Sequence, residues 1–370
     1  MKNYLSGSLL FIASLLIFSG CTDTKSTMKP PVAKKIDKEL IAHDQTRIDP
    51  YYWLNDREDQ EVITYLENEN AYTKAMMEHT EELQTELYDE IIGRIQQTDM
   101  SVPYKRNGYF YYSRYEEGME YPIYCRKKGM LEAEEEIMLN VNEMAEGYSY
   151  FQVGGVSVSP DNKIVAYGVD TVSRRKYTIY FKNLETGEIF SDAIPNTTGY
   201  APWAADNKTL FYTRKDEVTL RPDKIYRHVL GEDASGDPMI FHEEDETFRT
   251  MVTISKSMDY LMIGSFSTLS TEYRYLDAST PEEEFKVFQE RKADLEYFVS
   301  HYQDKFYVRT NLDAKNFRLM ETPVGKTNLE SWKEVIAHRP EVLLEDYEVF
   351  NKYLALQERT NGLTEIRIMS

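Results

Sequence analysis

Serine hydrolysis needs a hydroxyl lifted out of a strained turn, and the pentad Gly-x-Ser-x-Gly between a strand and a helix is one way to build it. The sequence holds no such pentad. Gly155-Val-Ser157 comes nearest, but Val158-Ser159 follows where the second glycine would stand. The six histidines are His43, His79, His228, His242, His301 and His338. None accompanies a serine elbow and none pairs with another at metal-ligand spacing, so no catalytic, cofactor or metal residue is assigned. His43-Asp44 is the most suggestive pair, and its place ahead of a helical stretch predicts a turn. Cys21 and Cys125 are the only cysteines, too few for a disulfide framework or a Cys-based metal site. Cys125 lies in the alternating run Tyr121-Pro-Ile-Tyr-Cys-Arg126, which predicts a buried strand thiol rather than a nucleophile.

Cys21 has a different setting. The ten-residue apolar run from Leu9 to Phe18 follows Lys2. It is too short to span a bilayer and reads as a signal-peptide core over residues 1–20. Ser19-Gly20-Cys21 comes directly after it. Small residues ahead of a cysteine resemble the lipobox of bacterial lipoproteins, although Phe18 stands where a leucine is usual. The resemblance implies cleavage after Gly20 and a lipid on the Cys21 thiol. The chain would then be anchored to a bacterial membrane in the cell envelope, facing the periplasm or the exterior. A plain secretory signal with an incidental cysteine is the alternative. Residues 21–33, polar with Pro30 and Pro31, read as a tether.

Two kinds of element follow. From about Glu58 to Gln97 the apolar residues Val62, Leu66, Tyr72, Met76, Leu83, Leu87, Ile91 and Ile95 recur at helical spacing. Two helices, or one that bends, are expected within a segment spanning 34–97. The break falls near His79, Thr80 is a candidate cap for the second helix, and the stripe is expected to pack in a core. After Thr98 the period becomes two. The chain is rich in aromatics, at 13%, and contains 29 tyrosines, which suits sheets. Its formal charge of −20 argues against nucleic acid as a partner; it reads first as ordinary solubility and secondly as suited to cationic substrates.

One β unit recurs through 98–370. Its copies start at the turns Asn107-Gly108, Asp161-Asn162 and Asp206-Asn207, with less regular copies at Met258, Gln303 and Asn351. The steps between them are 54, 45, 52, 45 and 48 residues. An all-β period of this length predicts propeller blades, each covering its apolar faces with its neighbours. The fold class expected is therefore mainly β: a propeller of the seven-bladed type, incomplete with about six blades present, preceded by an α-helical segment. A six-bladed ring closed by the N-terminal part is the rival.

Several stretches in one order carry a resemblance. They are Arg47-Ile-Asp-Pro-Tyr-Tyr-Trp-Leu54, Leu66-Glu-Asn-Glu-Asn-Ala-Tyr72, Gly93-Arg-Ile-Gln-Gln-Thr-Asp-Met-Ser-Val-Pro-Tyr104 and Glu120-Tyr-Pro-Ile-Tyr-Cys-Arg-Lys-Lys-Gly129. Later come Val158-Ser-Pro-Asp161, Leu210-Phe-Tyr-Thr-Arg214 and Asn316-Phe-Arg-Leu-Met320. From about Pro31 onward the chain resembles the prolyl oligopeptidase family of serine peptidases, and oligopeptidase B within it. The resemblance implies an N-terminal helical segment that packs on a C-terminal α/β-hydrolase domain. It also implies a propeller that admits only short or unfolded peptides, and a Ser-His-Asp triad.

That triad lies beyond this chain in the family, so the hydrolase domain is expected to be absent here and the fragment inactive alone. The implied function is acyl-enzyme cleavage of short, basic peptides after Lys or Arg, with the missing hydrolase domain as partner. A stand-alone lipid-anchored binding propeller and a prolyl-specific oligopeptidase are the alternatives. A dipeptidyl-peptidase-type member is a further one that the N-terminal motifs fit less well. The acid clusters Glu132 to Glu136, Glu243 to Glu246 and Glu282 to Glu284 read first as solvated loops, and secondly as an acidic rim for basic peptides.

Overall fold

The computed structural model describes residues 28–370, so the signal segment with Gly20 and Cys21 lies outside it. The described residues fall into two compact units, the first ending at Gln96 and the second Gln97–Ser370.

In the first unit a hairpin of Lys38–Ala42 and Gln45–Asp49 precedes helix α1, Gln60–Met77, and helix α2, Glu81–Arg94. His43 and Asp44 form the hairpin turn, both with positive φ (51° and 58°), a conformation a two-residue turn requires. Asp59 caps α1 by accepting from the Glu61 amide at 2.8 Å. Thr80 stands at the start of α2 but does not cap it. Its hydroxyl donates to the Met77 carbonyl at 2.6 Å and accepts from Gln84 at 2.7 Å, because a 3₁₀ turn, Glu78–Thr80, carries the chain from one helix straight into the next. The helical stripe also departs from expectation. Only Val62 is buried; Leu66, Leu83, Leu87, Ile91 and Ile95 are each about half exposed. Two helices and one hairpin are too few to cover them.

The second unit is a run of antiparallel sheets in chain order, as the period predicts. Blade 1 comprises Tyr104–Arg106, Tyr109–Arg114, Ile123–Lys128 and Glu135–Asn140. Blade 2 comprises Gln152–Val158, Ile164–Asp170, Tyr177–Asn183 and Ile189–Thr197. Blade 3 has Thr209–Lys215, Pro222–Val229 and Met239–His242. Its first strand is reduced to one bridge, Trp203 to Leu210. Pro202 explains this: its carbonyl accepts from the Phe211 amide at 3.1 Å, but it has no N–H to return the bond. The last strand of blade 2 touches blade 3 through Thr197 and Arg214, which joins the two blades into one sheet. Blade 4 starts at Arg249–Ile254, blade 5 at Tyr297–Tyr302, each with four strands, and blade 6 at Leu343–Val349 with three.

The core sits between blades. Leu210 and Tyr212 pack back onto Phe181 and Ile194 of blade 2, while Phe211 packs forward onto Leu261 and Ile263 of blade 4. That alternation follows from the two-residue period of a strand. Similar clusters join blades 1 and 2, 4 and 5, and 5 and 6. Blade 6 ends on Leu363, Ile366 and Ile368, all more than two-thirds exposed. Gly168 of blade 2 has its own role: a methyl there would sit 2.4 Å from the Gly199 Cα, so only glycine lets these backbones meet.

Candidate functional site

No serine of the second unit is set up as a nucleophile. Ser157 lies in the strand Gln152–Val158 and is buried. Ser257 does meet a histidine, with its Oγ 2.8 Å from His301 Nδ1. Asp259 Oδ2 faces the same ring nitrogen at 3.6 Å, and His301 Nε2 is buried without a partner. A relay needs the acid on one nitrogen and the hydroxyl on the other, so this group ties the turn of blade 4 to the first strand of blade 5 and cannot pass a proton along. Burial holds His301 below its ordinary pKa, against the pull of Asp259.

The other histidines are structural as well. His228 lies between Asp192 and Asp237, His242 faces Asp223 at 3.6 Å, and His338 Nε2 accepts from the Asn316 amide. Cys125 is fully buried in its strand, and burial, with Glu135 nearby, pushes its thiol up to about 11. That is the unreactive setting expected of it. Among the described residues no three His, Cys, Asp or Glu side chains gather as a metal site.

What the second unit builds instead is a closure. The six recurring turns each join the first and second strands of a blade, and they interlock. Asn107 Nδ2 donates to the Pro160 carbonyl at 3.2 Å, Asn162 Nδ2 to the Asn107 carbonyl at 3.0 Å, and the Asp161 amide to Asn207 Oδ1 at 2.7 Å. These contacts tie blades 1, 2 and 3. Others join blades that are not neighbours. Arg106 Nε and Asn107 Nδ2 of blade 1 reach Met258 Sδ of blade 4 at 3.4 and 3.5 Å. Lys256 of blade 4 pairs with Glu348, donates to the Val349 carbonyl at 3.0 Å and sits 3.9 Å from the centre of the Phe350 ring, all in blade 6. Between the neighbouring blades 5 and 6, Tyr302 donates to Asn351 Oδ1 at 3.2 Å.

Turns from non-adjacent blades can touch only where the blades converge, at the propeller axis. The turns therefore form a hub across one end of that axis. Sequence reasoning located every one of these turns but missed their mutual bonding, since the partners stand 46 to 152 residues apart.

The acid clusters are not all simply solvated. Glu135 accepts from Tyr112 Oη at 2.5 Å and pairs with Arg114, and Glu136 pairs with the buried Arg126. Glu243 is buried. Burial works to raise its pKa, but the Arg291 guanidinium at 2.6 Å holds the carboxyl below the usual carboxylate range. Arg291 in turn lies 3.7 Å over the Phe248 ring. Glu282 pairs with Arg227 yet stays 67% exposed, and Glu283 and Glu284 are exposed too, so that cluster is a solvated loop. Each shielded acid has an arginine across a strand or loop, a partner no local reading of an acidic run exposes.

Comparisons with known proteins agree with this architecture. The chain is 38% identical to dipeptidyl aminopeptidase BI of Pseudoxanthomonas mexicana, over 98% of this chain and 53% of that protein. It is 35% identical to protease 2 of Moraxella lacunata, over 92% of this chain and 50% of that protein. Among solved structures, oligopeptidase B of Leishmania major superposes with a TM-score of 0.85 at 30% identity, covering 92% of this chain and 51% of its own. The chain thus spans about half the length of the relatives it matches. Residues 30–370 match the domain described as prolyl oligopeptidase, N-terminal beta-propeller. With that match over a series of blades interlocked at their turns, the chain belongs to the prolyl oligopeptidase family and supplies its propeller portion.

Proposed function

We propose that this chain is the access-controlling portion of a serine-type oligopeptidase that cleaves short peptides after Lys or Arg through an acyl-enzyme. Among the described residues no serine is set up as the nucleophile, which this reading places in the hydrolase domain. The hub carries the reading. Turns bonded across one end of the propeller axis would exclude folded proteins there and leave entry to chains thin enough to come another way. Likeness to oligopeptidase B and protease 2 supports cleavage at basic residues. The exposed stripe of α1 and α2 supports packing of the first unit on the hydrolase domain. Cleavage after Gly20 and lipidation of Cys21 would hold the protein at the cell envelope; a Cys21→Ser protein should lose its partition into detergent.

The test uses the full-length protein and fluorogenic Arg peptides of increasing length. Short peptides should turn over, and a folded protein with the same exposed site should not. A Lys256→Ala, Met258→Ala double variant, which loosens the hub, should narrow that gap. An unchanged length preference would count against gating, and the absence of any turnover sensitive to a serine-directed inhibitor would remove the enzyme reading. The likeness to dipeptidyl aminopeptidase BI favours a second reading, removal of N-terminal dipeptides. Acetylating the substrate's N-terminus abolishes that activity and spares internal cleavage.

A further inference from the structure

At the end of the blades away from the hub lies a cleft of about 530 Å³, lined by Arg174, Arg175, Lys215, Arg221, Glu246 and Arg249. It spans three blades: the loop 171–176 joins the second and third strands of blade 2, the loop 216–221 does so in blade 3, and 243–248 leads into blade 4. We propose that this cleft binds an acidic peptide segment through its unpaired arginines.

The charge pattern is the reason. The chain has 63 acids and 43 bases, so anions are not scarce. Arginines elsewhere, such as Arg114, Arg126, Arg291, Arg339 and Arg359, each hold a carboxylate. Arg174, Arg175 and Arg249 hold none within 4 Å among the described residues, and all three are exposed. Arg221 forms the floor and is already paired: its Nη1 donates to the Glu243, Asp245 and Phe248 carbonyls at 2.9 to 3.2 Å, and its Nη2 lies 3.7 Å from Asp223. Lys215 reaches the Arg175 carbonyl. Burial and the neighbouring Arg175 charge hold the Lys215 amine below its ordinary pKa, despite the pull of Asp170. Arg174, Arg175, Lys215 and Arg249 outnumber Glu246, the one carboxylate lining the cleft, and a ligand carrying carboxylates relieves that excess.

The loops are organised in advance. Fully buried Asp170 accepts from the Val172 and Arg175 amides at 2.9 and 2.6 Å, and Asp216 accepts from the Val218 and Thr219 amides at 3.1 and 2.7 Å. Arg175 and Leu220 are held at positive φ, 53° and 60°. Such ordering before binding lowers the entropy lost on binding. Neighbouring sheets stand about 10 Å apart, so the arginines of three blades are too spread for one small anion. An extended peptide, rising about 3.3 Å per residue, brings carboxylates to each, and a guanidinium matches a carboxylate with two parallel hydrogen bonds.

The test titrates the full-length protein with a fluorescent peptide of alternating glutamate and glycine. Its glutamine counterpart and inorganic phosphate are the comparison probes. The glutamate peptide should bind saturably, and Arg174→Glu and Arg249→Glu should each weaken it about tenfold or more. Both positions are exposed, so circular dichroism should not change. Added salt should weaken binding in the unmutated protein. Equal binding of the glutamine peptide, or unchanged affinity in both variants, overturns the proposal. Competition by phosphate at the peptide's own concentration would make this a small-anion site and overturn it too. So would peptide-independent self-association abolished by the same variants, which would place a second copy's carboxylates in the cleft.

Discussion

His228 offers the sharpest test of how the blades are held together. Its ring is fully buried, with Nδ1 3.0 Å from Asp237 Oδ1 and Nε2 3.5 Å from Asp192 Oδ2. Asp192 belongs to blade 2, so a protonated ring bridges two blades. Replacing it, as in His228→Leu, leaves two carboxylates in a site where their side chains are 7% and 5% exposed. Removing one partner from a buried pair costs about 3–5 kcal/mol. The lower end applies, because Asp192 keeps the Gly231 amide and Asp237 keeps the Tyr212 hydroxyl at 2.9 Å. The expected loss is therefore about 3 kcal/mol.

The pH dependence has a definite sign. Burial opposes protonation of His228, but the hydrogen bonds and charges of Asp237 and Asp192 outweigh it, so its pKa lies above the ordinary 6.5. The extra stability is fully present below the unfolded value and is lost as pH rises through the folded one. Urea unfolding followed by tryptophan fluorescence reads both effects. The gap between the two proteins should be widest near about pH 6 and shrink as pH rises past neutrality. A gap under about 1 kcal/mol at the low end, or one that does not change with pH, would refute an ionic bridge.

Two further outcomes follow from packing. Gly168→Ala places a methyl against the Gly199 backbone, which no side-chain rotation can relieve, and should lower unfolding stability by about 1–3 kcal/mol in the same urea assay. Cys125, buried with its thiol raised to about 11, should react with a maleimide only at the rate of unfolding, so labelling should speed up in step with added urea; fast labelling of the native protein would contradict its placement.

The sequence carried the period of this fold because turn chemistry is local. Asn107-Gly108 needs two residues at positive φ, and Asn162 and Asn207 each supply one, so asparagine marks these turns wherever the chain is cut. Pro202 likewise announces the reduced first strand of blade 3, by lacking a donor. Pairings set by folding were not visible. Nothing near Glu243 in sequence points to Arg291, 48 residues on, and nothing near Asp192 points to His228. The exposed helical stripe misled for the opposite reason. A 3.6-residue pattern states that a face is apolar, not that this chain contains what covers it. The cleft left one trace, the run Arg174-Arg175-Lys176 in an acidic chain.

Met258 shows where a local signal ends and a global one begins. It occupies the position of Asn162 and Asn207: its amide closes onto Ser255 as that of Asn162 closes onto Ser159, each at 2.9 Å, and its φ is 67° beside 64° and 62°. By turn chemistry alone a methionine there is a poor copy, since it has no side-chain amide to ease the left-handed backbone. At the axis the requirement differs. Asn162 and Asn207 bond the turn of the preceding blade, whereas blade 4 meets blade 1 across the ring and needs an acceptor that reaches Arg106 and Asn107 together. A long, polarisable thioether does that where a short amide would not. The irregularity that weakens the fourth repeat as a sequence signal is thus the feature that lets the hub close.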